Sequence, residues 1–367
     1  MQEYNKTTNN ILFIDAISIA ANGGGASHLM NLVNNFKFNV YKFNKIPEKK
    51  YIIKVESKFL NKNLILQLFF LIFIFKKYIK KYNPTVVFSL AAHNIKCNNL
   101  ITISQNLLPF DKKNIANYNY LEKLKLYFTR VNQIKAFNNS KKIIFLSEYA
   151  RDMVMNYNPF LKNKSIIIPH GISFECQSNF IKNYDITEEI NLLYVSSIVN
   201  YKNHLNVFLA AQSLKTKGYN IKLKFIGDSN KWGKRLLKKI DQLDNKTNIL
   251  EYSQAIKNSE LNILYQNSNI FIFASSCETF GIILLEAMSF GLPIICSNKS
   301  SMFELAKNGC LYFNPNDINE LIKQIEDFIL NKELRITIGK TAKELALKFD
   351  IETTVIKTYD TIDAFYE

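Results

Sequence analysis

Short runs of β-branched and aliphatic residues alternate with helical stretches along the whole chain, and this alternation constrains the fold more than any other feature. Residues 11–19 (ILFIDAISI), 85–90 (TVVFSL), 100–105 (LITISQ) and 142–147 (KIIFLS) are nearly continuous apolar runs. That is the pattern of strands buried on both faces of a parallel sheet. Residues 166–171 (IIIPHG) add a short strand with a stop, and the polar, aperiodic segment 174–190 reads as a linker. The pattern then restarts, with strands expected at 191–197, 222–227, 269–275 and 293–297 and helices near 203–217, 231–242 and 281–290. From Asp317 onward three amphipathic helices are expected. Strand–helix alternation in both halves predicts an α/β protein with two doubly wound domains. Open sheets of this kind take ligands at the carboxyl ends of their strands, so a site in the cleft between the domains is expected.

Composition narrows the class. A chain of 367 residues with 47% hydrophobic and 21% charged residues is long and apolar enough for two cored domains, which excludes a disordered chain. Lys and Arg number 47 against 31 Asp and Glu, a formal net charge of +16. The excess suits an anionic partner such as a phosphorylated substrate or an anionic membrane surface. The lysines come mostly in pairs, as at 112–113 and 141–142, without the long basic block of a nucleic-acid arm, so no nucleic acid is expected. Five dispersed cysteines without a C-x-x-C pair imply reduced thiols, and the polar N-terminal segment lacks the regions of a signal peptide; a cytoplasmic protein is expected. The apolar run at 64–75 (LILQLFFLIFIF) is shorter than the roughly 20 residues of a spanning helix. With Lys62, Lys76 and Lys77 beside it, it reads as a core helix or as one lying in the membrane interface.

The chemistry concentrates in SSCETFGIILLEAMSFGLPII, residues 275–295. A strand runs into a tight turn holding Glu278, a helix carrying Glu286 follows, and Gly291 and Pro293 stop it. Gly281 allows close approach of a ligand to the backbone. The amides at the helix start favour an anion such as a diphosphate. Two carboxylates flanking such a cradle suit a sugar nucleotide, one for the sugar and one for the ribose; the alternative is a capping Glu278 and a solvent-facing Glu286.

Three further features are weaker alone. Gly23, Gly24 and Gly25 follow the first strand and open the way to a phosphate or acceptor, although their spacing is neither that of a dinucleotide fold nor that of a P-loop. His93 closes VFSLAAH at a strand's carboxyl end, either a site residue or a polar loop residue. His170 reads as structural, while His28 and His204 stand either near phosphate or in solvent. No histidine pair has metal-ligand spacing and no D-x-D occurs, so no metal is expected.

With FG after the first of two glutamates eight positions apart, and EAM and GLP around the second, residues 275–295 resemble the donor site of the GT4 glycosyltransferases, retaining enzymes of the GT-B fold. Segments 23–32, 101–110, 145–154, 168–173, 192–211, 311–329 and 346–362 are similar to others of that family, in the family's order. The resemblance implies two Rossmann-like domains facing a cleft: an acceptor domain at 1–175, a nucleotide-sugar domain at 190–350, and a terminal helix at 351–367 crossing back to the first. It implies that Glu286 accepts from the ribose hydroxyls and that Glu278 faces the donor sugar or reacting phosphate. The backbone of Thr279, Phe280, Gly281 and Ile282 would line the sugar and diphosphate. Lys202 matches the family's basic residue at the departing phosphate, with His93 on the acceptor side. Ser197 stands where the family often has an arginine, which removes one phosphate cation from the donor site.

The implied activity is retaining hexosyl transfer from a UDP- or GDP-sugar to a saccharide, lipid-linked or free, in capsule or lipopolysaccharide O-antigen synthesis. The nucleotide sugar is substrate, and no cofactor is implied. The expected location is cytoplasmic, at the inner face of the cell membrane as a peripheral protein. A sugar-nucleotide epimerase of the same architecture and a non-catalytic nucleotide-binding relative are the alternatives.

Overall fold

The computed structural model describes residues 11–15, 39–42, 52–54, 75–173, 182–186 and 189–365, with side chains from Leu12 to Asp15 and from Phe75 onward. Gly23, Gly24, Gly25, His28, the apolar run before Phe75 and much of the linker lie outside the described residues. The chain divides into two compact units, Met1–His170 with Ile351–Glu367, and Gly171–Asp350.

The first unit is built on strands β1 (Ile11–Asp15), β2 (Asn39–Lys42), β3 (Ile52–Lys54), β4 (Val86–Ser89), β5 (Leu100–Ser104), β6 (Lys142–Phe145) and β7 (Ser165–Ile167). All pair in parallel, in the order β3-β2-β1-β4-β5-β6-β7. Every residue of β4 and β5 is buried, as the unbroken apolar runs require. Among the described residues before His170 the helices are α1 (Phe75–Tyr82), α2 (Lys112–Ile115), α3 (Tyr120–Asn139) and α4 (Glu148–Met155). Helix α3 starts at a capping box: Asn119 accepts from the Glu122 amide, and Glu122 reaches back to the Asn119 amide.

The second unit has strands β8 (Ile190–Val195), β9 (Ile221–Ile226), β10 (Leu250–Ser253), β11 (Ile270–Phe273), β12 (Ile294–Ser297) and β13 (Leu311–Phe313), parallel and ordered β10-β9-β8-β11-β12-β13. Between and after them run α5 (His204–Thr216), α6 (Lys231–Asp244), α7 (Asn258–Asn267), α8 (Ile282–Ser289), α9 (Met302–Ala306), α10 (Ile318–Leu330) and α11 (Lys332–Ala346). Helix α11 approaches the end of α8 through glycine: a Cβ at Gly339 would stand 2.4 Å from the Gly291 carbonyl oxygen and 2.6 Å from the Tyr184 ring. The described part of the linker is fastened to this unit. Lys182 donates to the carbonyls of Gln266 and Ser268, and Tyr184 donates to that of Gly291 at 3.0 Å. Burial brings the Lys182 ammonium down to about 8.

The final helix α12 (Ile351–Asp363) rejoins the first unit, where Thr354 donates to the Pro169 carbonyl at 3.0 Å. In each sheet the strand order reverses once, between β1 and β4 and between β8 and β11. A crevice at the carboxyl ends of the strands opens at such a reversal, and both side-chain clusters described next stand there.

Candidate active site

In the second unit β8 ends at Val195, and a single 3-10 turn, Asn200–Lys202, leads into α5. Lys202 is buried, which is costly for an ammonium unless it is paired. Its partner is Glu278, in the turn after β11. The ammonium also stands 5.3 Å from the Tyr201 ring centroid and 5.7 Å from that of Phe273. Its carbonyl accepts from the fully buried Tyr194 hydroxyl at 2.7 Å, which fixes the turn from below.

Asn203 ties the two loops together. It adopts a left-handed conformation (φ 55°), and its side-chain amide donates to the Ala274 carbonyl at 2.8 Å and the Ser276 hydroxyl at 2.7 Å. The Ser276 amide returns a bond to the Tyr201 carbonyl at 2.8 Å. The Glu278 turn is held from its other side by the loop after β12: Ser300 accepts from the Glu278 amide at 3.2 Å, and Ser301 donates to the carbonyls of Glu278 and Phe280 at 3.3 Å each.

Gly281 then begins α8 in a left-handed conformation (φ 97°) that a side chain would strain. Glu286 follows on α8 and accepts a 3.0 Å bond from the Tyr265 hydroxyl of α7. Burial pushes the Glu286 carboxyl up to about 7, against the opposing pull of that hydrogen bond. Tyr265 is itself fixed between aromatic rings, 5.9 Å from Phe271 and 5.2 Å from Phe290 between centroids.

Among the residues expected from the sequence, Lys202, Glu278, Thr279, Phe280, Gly281, Ile282 and Glu286 therefore lie in one connected stretch of the second unit. Ser197 is exposed just beyond β8, its carbonyl 3.3 Å from the Ser196 hydroxyl. His204 departs from both sequence readings. It is fully buried, stacked 4.5 Å from Tyr194 and edge-on to Phe225 at 4.9 Å. Burial lowers its pKa to about 3, with Lys202 adding to the effect, so the imidazole is a neutral core group.

His93 belongs to the first unit. Its Nδ1 stands 2.7 Å from Asp15 Oδ2, and Ser89 donates to the same oxygen at 2.6 Å. Ser89 also accepts from the His93 amide at 3.2 Å. Asp15 ends β1, Ser89 ends β4, and Asp15 is wholly inaccessible to solvent. Burial alone would lower the His93 pKa, but the charge of Asp15 and its hydrogen bond together raise it above the ordinary value. The cluster can therefore hold an imidazolium, or an imidazole of fixed tautomer, at the mouth of the sheet reversal.

Sequence reasoning missed Asn203, Tyr265, Ser300, Ser301, Asp15 and Ser89. Asp15 alone left a signal, a carboxylate closing an apolar strand.

Residues 177–345 match the family model described as glycosyl transferases group 1. The capsular polysaccharide biosynthesis glycosyltransferase CapM of Staphylococcus aureus is 26% identical over 217 residues, 55% of this chain and 56% of that protein. The chain spans about half the length of the curated relatives it matches. Among solved structures, WaaG, a glycosyltransferase involved in lipopolysaccharide biosynthesis, superposes with a TM-score of 0.78 at 15% identity, over 96% of this chain and 99% of that one. HepE of Anabaena in complex with UDP-glucose gives 0.73 at 14% identity, over 97% and 99%. The fold is that of the GT-B glycosyltransferases. The stretch similar to the group 1 glycosyl transferases, residues 177–345, carries Lys202, Glu278 and Glu286.

Proposed function

We propose that the protein transfers a hexose, with retention of configuration, from a UDP- or GDP-sugar to a saccharide acceptor of capsule or O-antigen synthesis, the acceptor being lipid-linked. The observation that carries the reading is the ion pair of Lys202 and Glu278 at the sheet reversal, next to the left-handed Gly281 at the start of α8. An ammonium held there can stabilise a departing diphosphate as charge develops on it. Glu278 then faces the sugar, Glu286 accepts from the ribose hydroxyls, and the backbone of Thr279 to Ile282 lines the diphosphate.

In the reaction the acceptor oxygen bonds to the anomeric carbon on the face from which the nucleotide leaves. The carbon–oxygen bond to the phosphate breaks, and the acceptor's proton passes to the leaving phosphate. The acceptor side would include His93, oriented by Asp15 and Ser89. The donor class rests on Glu286 and on the UDP-glucose bound by HepE, and the pathway on the named roles of CapM and WaaG.

The test is release of nucleoside diphosphate from a panel of UDP-, GDP- and dTDP-sugars, with and without a membrane lipid extract. Release that requires the extract supports transfer to a lipid-linked acceptor. Conversion of the sugar without an acceptor would make the protein an epimerase, and absence of nucleotide binding would overturn the reading.

A further inference from the structure

Gly281 takes its left-handed conformation with no side chain to brace it, and a Cβ added there would stand 2.9 Å from Met302 Cε. The turn before α8 therefore depends on the residues beside Gly281 for its placement. Ser300 and Ser301 bind its backbone, and the Phe280 side chain is buried. The Phe280 ring meets the ring of Phe349 edge-on, 5.5 Å between centroids and 65° between planes. In such a pair the positive edge of one ring stands against the negative face of the other, which fixes orientation as well as distance.

Phe349 is fixed in turn by its own backbone. It lies just past the end of α11, and its amide donates to the Ala346 carbonyl at 2.9 Å. Its carbonyl accepts from the amide of the buried Ile172 at 3.0 Å, and Ile172 forms a parallel bridge with Asp350. Gly171 and Asp350 are the first and last residues of the second unit. The segments by which the chain enters and leaves this unit are thus joined at Phe349, and the Phe349 ring rests on the turn that follows Glu278.

We propose that Phe349 is a positioning residue for the nucleotide's diphosphate, acting through the Phe280 ring on the turn whose backbone lines it. The inference rests on the donor site proposed above. Coupling of this kind is reciprocal, so a nucleotide that steadies the turn also steadies the bond between Ile172 and Phe349. Calorimetry of the full chain with UDP, GDP and dTDP, and amide hydrogen exchange with and without the nucleotide that binds, test it. Phe349→Ala should lose about 10-fold in nucleotide affinity. Phe349→Tyr keeps the ring, and from a half-buried position its hydroxyl reaches solvent, so it should bind as wild type. In the Phe280→Leu background Phe349→Ala should cost nothing further, because the ring it acts through is gone. Bound nucleotide should slow exchange at the Ile172 amide by about 3-fold or more in the wild-type protein and not in Phe349→Ala. Leu347→Ala, at an exposed leucine of the same segment, should leave both readouts as they are. Unchanged circular dichroism separates loss of positioning from loss of the fold, and the exchange measurement on the wild-type protein needs no variant at all. The proposal is overturned if Phe349→Ala binds as tightly as wild type, or if its loss persists in the Phe280→Leu background. It is equally overturned if bound nucleotide leaves exchange at Ile172 unchanged. A wild-type protein that binds none of the three nucleotides overturns the donor site itself, a result distinct from these.

Discussion

Tyr265 and Glu286 share a 3.0 Å hydrogen bond in which the phenol donates to a carboxylate whose pKa burial has raised to about 7. The bond joins the successive helices α7 and α8, and it pre-aims an acceptor group that solvent alone would leave free to rotate. A carboxylate held in this way is available for two hydroxyls of a ribose, but it is costly to ionise in the empty protein.

The first prediction concerns that cost. The folded pKa of Glu286 lies above its usual 4.5, so its contribution to stability is fully present below about 4.5 and is lost as pH rises toward about 7. The loss is on the order of 3 kcal/mol. Glu286→Gln should therefore raise the melting temperature of the ligand-free protein at neutral pH while weakening nucleotide binding. Thermal melts and titration calorimetry at several pH values check both halves.

Tyr265→Phe removes a bond that holds the Glu286 pKa down, so the pKa should move above 7. The pH below which nucleotide affinity falls should rise accordingly, at unchanged turnover above it. A binding profile between pH 6 and 9, about two units on the high side of the wild-type midpoint, is the measurement. An unchanged profile would mean that Glu286 does not touch the nucleotide.

Lys202→Ala leaves Glu278 without its partner and takes the cation from the expected leaving group. Turnover should fall by about 100-fold or more with a smaller change in donor affinity. Stability should fall by about 1–3 kcal/mol, because a mostly enclosed carboxylate is left unpaired. Steady-state kinetics beside a denaturant titration separates the two effects.

The raised pKa of His93 depends on Asp15, so Asp15→Asn should lower it. The favourable charge interaction is present below the ordinary imidazole pKa of 6.5 and is lost as pH rises through the folded value. The wild-type protein should therefore gain stability from this pair on acidification toward pH 6, and the variant should not. With only four histidines in the chain, an NMR titration with His93→Gln as the assignment control reads the shift directly.

The apolar central strands are legible in the sequence because burial on both faces leaves a nearly unbroken run, as in β4, β5, β8 and β11. Strands β2, β3, β10 and β13 are not. β3, β10 and β13 each pair on one side only, so little apolar sequence is needed to hold them, and β2 and β10 carry polar residues within the strand. At the candidate site the turn of Glu278 and the helix of Glu286 were legible as a local pattern. The groups that aim them were not. Tyr265 lies 21 residues from Glu286, Ser300 lies 22 from Glu278, and Asp15 lies 78 from His93. Contacts closed by strand order leave no local period to read. His204 misled because a histidine beside a lysine looks solvated, whereas the first turn of α5 points it between Tyr194 and Phe225.

The chain leaves the first unit at His170 and returns to it at Ile351. Synthesis therefore delivers all of the second unit while the first still lacks its last helix. Residues Gly171–Asp350 can fold on the ribosome as an uninterrupted segment, but the first unit can close only after some 180 later residues have emerged. A stop codon placed just after Asp350 would accordingly leave the later-made unit whole and wound the earlier one.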